Sequence, residues 1–550
     1  MDQKFEQDLN RTTPDVEAKG REKLSRPNGD HALNLAGENV TTEWQNALRD
    51  HWNIKAQLTP LSGEYDLNFL ARTDADQDYV LKVMRPDCDV EFLNMQIDAL
   101  IQIADYDRHL PFPTPVQSAS GNQTVQYKDS SGEARLLWVL PRLPGRVFAD
   151  IRHPPSSLIH ELGSLIGESD LALADFDHPS LSRDFKWNLM SALWIKTEIA
   201  AVATGDRLTL LDNIVAVFEE VQGTLQSLPV QAIHNDANDH NILVAGALTD
   251  PLKISGLIDL GDLCKAPRIC NLAIAAAYLV LDAPNSENRL ASLVSGYHAV
   301  NPLTGPELDL LWPLLRMRLA VSIVNSTLMA REVPDDPYVV ISQASAWRFL
   351  ENASVGSGLL KARLRSACGL PVTEAAPRIL GFLNKSRGRF APIIGQDLND
   401  APLGSLSVEN SLWPENPFDL GPDEAARIGE EFKDNGNIWL GYYFEPRLIY
   451  TEPAFRNGPW LASDRRTVHL AVDVFGAAQT PVYAPLDATV YAAKNCARHL
   501  DYGGLIILAH KTPDGDEFYT LYGHLNPEVC DRLSVGDTLS KGTPFSALGD

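Results

Sequence analysis

The chain has 550 residues, 44% hydrophobic and 22% charged, with a formal net charge of −25 at pH 7; it is too long for one core and ordinary in composition for a folded protein. That acidity argues against a nucleic-acid partner, which is held by concentrated Lys and Arg that release counterions. No apolar run reaches membrane-spanning length, the N-terminus lacks an apolar signal core, and the six cysteines show no C-x-x-C spacing, so a cytoplasmic protein with reduced thiols and no membrane partner is expected.

Residues 1–41 are polar and nearly free of aromatics, which leaves too little apolar surface to offset ordering entropy; a disordered arm is expected. TEWQNALRDHWNI, from Thr42, predicts an amphipathic helix begun at a Thr-Thr-Glu cap. The stretch LTPLSGEYDLNFLARTDADQDYVLKVMRP then reads as three strands joined by a glycine turn and an Asp-rich turn. Gly63 would let backbone amides approach phosphates, and Lys82 in YVLKV would clamp them from the third strand. A solvated lysine is the plain alternative, against which stand the apolar and β-branched residues on either side. In the following helix, VEFLNMQIDALIQIA, both Glu91 and Gln96 are open as the residue paired with Lys82, and Glu91 reads equally well as helix surface. Gly63, Asn68, Lys82 and Gln96 form the candidate ATP-binding set. PFPTPV and ARLLWVLPRLPGRVF read as an extended lead-in, a buried strand and a Pro/Gly linker, and helical patterns dominate from Pro155 to Val221.

The most informative stretch runs from Ala232 to Leu263. AIHNDANDHNILV carries His234, Asp236 and Asn241 as H-x-D-x-x-x-x-N, and ISGLIDLGDL carries Asp259 at the end of an apolar run, 18 residues after Asn241. Phosphoryl transfer needs such groups, because the protein contributes mainly positioning and charge neutralisation. Asp236 is the candidate base beside the attacking hydroxyl and His234 its catalytic-loop companion, as orienter. Asn241 and Asp259 offer the hard oxygens that magnesium takes. Asp239 and Asp262 are candidates to receive a protonated amine of the substrate, or else they cap turns. The helical patterns resume in LAIAAAYLVL and LWPLLRMRLAVSIVNSTLMA, read as core.

Residues 366–439 hold Pro, Gly and Asn clusters and read as a linker with a small β-rich segment. Beyond it, RTVHLAVDVFGAAQTPVYAPLDATVYAA places His469 and Asp473 at i and i+4 in an alternating strand, and YTLYGHLN adds His524. Imidazole and carboxylate on a rigid element suit zinc.

On LSGEYDLNF, YVLKV, HNDANDHNILV and LIDLGDL, residues 42–365 resemble the aminoglycoside phosphotransferase and choline kinase superfamily, nearest to its hydroxylysine kinase group. The resemblance implies a protein-kinase-like bilobal α+β domain, ATP, magnesium, and phosphorylation of a hydroxyl on a small, amine-bearing molecule. TPVYAPLDATV, GGLIILAH and LYGHL make residues 440–550 resemble lysostaphin-type zinc endopeptidases, a mostly β module in which His469 and Asp473 would be zinc ligands and His524 a catalytic histidine. Gln479 and Ala488 depart from the glycines usual there, and no later H-x-H pair supplies a third ligand, so an incomplete module is expected. The domain order resembles the N-terminal part of longer fusions that continue into a class III aminotransferase-like domain, which leaves a zinc peptidase or a non-catalytic scaffold as the competing readings.

Overall fold

The computed structural model describes residues 38–550 apart from 62–65, 76, 184, 247–249, 333–341, 353–356, 408–437, 452–454, 456–466, 499 and 550. The arm expected over 1–41 falls outside them as far as residue 37, and residues 38–41 are already helical. The chain divides into two compact units, 1–372 and 373–550.

The first unit is bilobal. Its small lobe is an antiparallel sheet in the order β1-β2-β3-β5-β4, built from β1 (Gln57–Leu61), β2 (Leu67–Arg72), β3 (Tyr79–Val83), β4 (Val125–Lys128) and β5 (Ala134–Pro141). Successive strand residues point to opposite faces. Leu81, Val83, Leu137 and Val139 therefore pack with Trp44 and Leu48 of helix α1 (Glu38–Trp52), while Lys82 turns to the other face. There it lies between Asn68 and Trp138, its partners across the two ladders. Trp138 belongs to the apolar cluster of the helical lobe, so this face of the sheet looks into the cleft.

Helix α2 (Val90–Tyr106) starts at Asp89, whose carboxylate accepts from Glu91 N, and buries Leu93, Met95, Gln96, Ile97, Leu100 and Ile103. The helical lobe follows, with α3 (Ser156–Ala172), α4 (Gly205–Gln226), α5 (Arg268–Leu279), α6 (Ser286–Val300) and α7 (Gly305–Glu332) around one core. α3 and α6 cross closely enough that a Cβ at Gly163 would overlap Leu293 O, and one at Gly296 would overlap His160 O. Two short ladders sit at the mouth of the cleft. The hairpin of Ile242–Ala245 with Lys253–Leu257 pairs Ile242 with Leu257, and the ladder of Gln231–Ile233 with Cys264–Ala266 pairs Ile233 with Cys264. This double pairing sets the loops 234–241 and 258–263 side by side.

The second unit is mostly β, around an antiparallel sheet whose strands lie in the order Glu517–Leu525, Gly503–Lys511, Ala488–Cys496 and Thr538–Leu539. Its core holds Val490, Ile506, Leu508, Leu525 and Phe545, and Ile394 and Leu398, from the stretch read as linker, pack into it. Among the described residues no helix is long and apolar enough to cross a membrane.

Candidate active site

His234 is buried, and both its ring nitrogens are engaged with backbone: Nδ1 accepts from Asp236 N at 3.2 Å, and Nε2–H donates to Ile258 O at 3.2 Å. Burial lowers its pKa to about 4, so the ring is neutral with its proton on Nε2. Such a histidine joins one loop to the other and orients; it does not exchange protons with a substrate. Ile258 N donates to Asn241 O at 3.0 Å and completes the seam between the loops.

Asp236 accepts through Oδ1 from Asn238 Nδ2 at 2.9 Å and through Oδ2 from Asn241 Nδ2 at 2.7 Å. Asn241 Nδ2 also donates to Asp236 O at 3.0 Å. Both acceptors lie on the nitrogen side of the Asn241 amide, which leaves its Oδ1 on the opposite side. Burial is the main force on the Asp236 carboxyl, and with the charge of Asp262 it lifts the pKa to about 8 against the pull of Arg318.

Asp259 holds a left-handed backbone, φ +68°, and accepts from Gly261 N through Oδ1 at 3.2 Å. Half of its side-chain surface is open, and Lys82 Nζ stands 3.9 Å away, which keeps the carboxyl ionised below its ordinary range. The donor set fits magnesium: an amide oxygen and an ionised carboxylate on adjacent loops, with an ammonium alongside for phosphates. Asn68, facing Lys82, has a buried Oδ1 without a hydrogen-bond partner, an acceptor suited to a donor from a bound ligand.

The open choice on helix α2 resolves against both candidates as ion-pair partners of Lys82. Glu91 pairs with His178 at 3.7 Å, and Gln96 is buried with its amide turned back to Phe92 O at 3.5 Å. Among the described residues, the ion pair Lys82 makes is with Asp259. Gly63 lies outside the described residues.

Two groups of residues in contact with the loop 234–241 escaped the sequence reading. Arg318 of α7 is buried beneath the catalytic loop, with Nη2 at 3.4 Å from Asp236 Oδ1 and Nη1 donating to Trp187 O at 3.1 Å. Its guanidinium lies 4.5 Å from the Trp187 ring centroid and 5.8 Å from that of Tyr278. An arginine inside the apolar run LWPLLRMRLAVSIV was the available signal, because such residues are seldom buried without a partner. Behind the loop, Asn271 Oδ1 accepts from Asn235 N at 3.1 Å and Asn271 Nδ2 donates to Asp170 at 2.7 Å. Tyr297 donates to the same carboxyl at 2.6 Å. This buried chain holds Asn235 in its left-handed conformation, φ +65°.

In the second unit His469 and Asp473 come within 3.7 Å of each other, but not as residues of one strand. Four residues of extended chain would separate them by roughly 13 Å. Instead the strand Val468–His469 pairs with Glu445–Pro446 and Val474–Phe475 with Trp439–Gly441, and the chain turns between them. Arg447 occupies the other side of Asp473 at 2.5 Å and binds buried Glu445 at 2.8 Å. Gln479, expected to replace a glycine, is left-handed at φ +67°, as is His524 at φ +53°. Among the described residues no three His, Cys, Asp or Glu form a group able to hold a metal, so His524 does not complete one with His469 and Asp473. The donors described do not fit a catalytic zinc, which takes three protein ligands, and no hydrolytic step is derived from them. Zinc in the purified 550-residue chain, measured by inductively coupled plasma mass spectrometry, is expected well below one per chain and unchanged in His469→Ala; stoichiometric zinc lost in that variant would contradict this.

The lobes, the cleft and its carboxylates define a phosphotransferase. Residues 57–310 match the phosphotransferase enzyme family (APH), and residues 467–550 match peptidase family M23. It is 27% identical over 320 residues to a hydroxylysine kinase of Mus musculus, covering 54% of this chain and 84% of that one. It is likewise 27% identical over 275 residues to a homoserine kinase of Methylobacillus flagellatus, covering 48% and 77%. Among solved structures, a microcompartment-associated aminopropanol kinase aligns with a TM-score of 0.44 at 19% identity, over 60% of this chain and 99% of that one.

Proposed function

We propose that the first unit transfers the γ-phosphoryl group of ATP to a hydroxyl of a small, amine-bearing metabolite, an amino alcohol or a hydroxy amino acid of the hydroxylysine kind. The observation that carries this reading is the arrangement around Asp236: a carboxylate held by Asn238 and Asn241, beside a loop that presents Asp259 to Lys82. Asp236 would accept or orient the proton of the attacking hydroxyl, and Lys82 would hold nucleotide phosphates. Asn241 Oδ1 and Asp259 would hold magnesium, which when bound neutralises charge on the phosphate oxygens. His234 keeps the two loops in register. The matched hydroxylysine and homoserine kinases act on acceptors that carry both a hydroxyl and an amine. Two further carboxyls support the same preference here, since the charge of Asp262 acts on Asp236 and burial raises the Asp239 pKa. A cationic ligand would offset part of that desolvation.

The test is a panel of hydroxylysine, homoserine, simple amino alcohols, aminoglycosides and neutral sugars, assayed for ATP consumption with magnesium. Amine-bearing acceptors are expected to be turned over at least about tenfold faster, in kcat/KM, than neutral ones of similar size, a difference of about 1.4 kcal/mol. Equal rates, unaltered in Asp262→Asn, would remove the amine preference and leave the phosphotransfer reading in place.

A further inference from the structure

Arg183 belongs to none of the motifs above. It follows the 3-10 turn Pro179–Ser182, yet its guanidinium touches both the loop after Asp259 and helix α2. Nη1 donates to Leu263 O at 2.6 Å and Nη2 to Gly261 O at 2.9 Å, while a longer bond from Nη1 to Ser180 O, 3.2 Å, ties the fork to its own segment. Its flat face lies 5.1 Å from the ring centroid of Phe92, in the first turn of α2, and 4.6 Å from that of Phe185. Met95 Sδ, one turn further along the helix, is 4.0 Å from Nη1. The same segment reaches α2 a second time through His178 and Glu91. Glu91, largely exposed, thus lies 3.7 Å from the segment that carries Arg183.

The geometry has a mechanical meaning. Asp259 is left-handed, a conformation that a non-glycine residue keeps only when its surroundings fix it. Two carbonyls of its loop are fixed by one planar fork, and that fork is packed against the helix. A lysine ammonium, a point donor on a flexible stem, does not reproduce two parallel bonds together with face-on packing.

We propose that Arg183 is a positioning residue of the magnesium and nucleotide site, locking the loop Asp259–Leu263 to helix α2. The lock itself rests on the contacts of Arg183 with the loop and with Phe92; its consequence for nucleotide rests on the kinase reading. Two measurements on the full chain separate these. In hydrogen exchange without nucleotide, Arg183→Met raises exchange both in residues 259–264 and in the first turns of α2, and Arg183→Lys does not restore protection. A rise in one segment alone, or a uniform rise over the whole first unit, would overturn the lock. With a non-hydrolysable ATP analogue, Arg183→Met raises the magnesium needed for half-maximal binding about tenfold, the scale of lost support around a metal ligand, and leaves magnesium-free binding unchanged. Equal weakening with and without magnesium would overturn the positioning role. A wild-type chain that binds no nucleotide would overturn the kinase reading and the role in nucleotide binding, while the exchange result would still decide the lock.

Discussion

Asp236→Asn is expected to lower kcat by roughly 100- to 10,000-fold, the range for removing a general base or a hydroxyl-orienting carboxylate, with nucleotide binding retained. The geometry sharpens that expectation. Asn238 Nδ2 and Asn241 Nδ2 each donate to one Asp236 oxygen, so an amide at position 236 would turn its own NH2 toward one of these donors. The variant therefore loses the proton acceptor and also the bond from either Asn238 or Asn241. Lys82 and Asp259 keep their own partners across the cleft, which is why nucleotide affinity should survive. Steady-state kinetics together with calorimetric binding of a non-hydrolysable ATP analogue would check both halves. Turnover near the wild-type rate would remove Asp236 from its assigned role, and loss of nucleotide binding along with the rate would point to collapse of the loop.

The parts of this site legible in the sequence are those whose geometry is local. Lys82 follows from a period of two: with Leu81 and Val83 turned to the core, the residue between them must face the cleft. Asp236, Asn241 and Asp259 follow from a strand, loop and hairpin close in sequence, where ladder register alone brings the groups together. The partner of Lys82 was not legible, because helical periodicity says which face of α2 is buried and says nothing of what lies opposite Glu91. Arg183, Arg318, Asn271 and Asp170 were missed for the same reason on a larger scale. Arg183 grips carbonyls 78 and 80 residues away, and Arg318 meets Asp236 across 82 residues; packing of whole helices decides those meetings. In the second unit the spacing of His469 and Asp473 identified a real pair. Arg447, arriving from a neighbouring stretch, changes what the pair can bind.

Arg318→Met should move the acid limb of the kcat/KM profile upward by about one to three pH units, the usual effect of an opposite charge beside a carboxyl. The sign follows from the forces on Asp236. Burial raises its pKa, Asp262 and Asp259 raise it further, and Arg318 and the Asn238 hydrogen bond oppose them. Without the guanidinium the buried carboxyl takes up a proton rather than carry an uncompensated charge, so the fraction able to act as a base at neutral pH falls. The rate near pH 7 is then expected to drop by about 10- to 1,000-fold and to recover on going alkaline, as the carboxyl ionises again. Methionine fills much of the space between Trp187 and Tyr278 without a charge, which separates the electrostatic effect from that of a cavity. Asp262→Asn supplies the opposite displacement: removing a like charge lowers the Asp236 pKa, and the same limb should move to lower pH. Two variants that shift one limb in opposite directions would assign it to Asp236, whereas profiles that superimpose on the wild type would show that the limb belongs to another group and that Arg318 is there for packing alone.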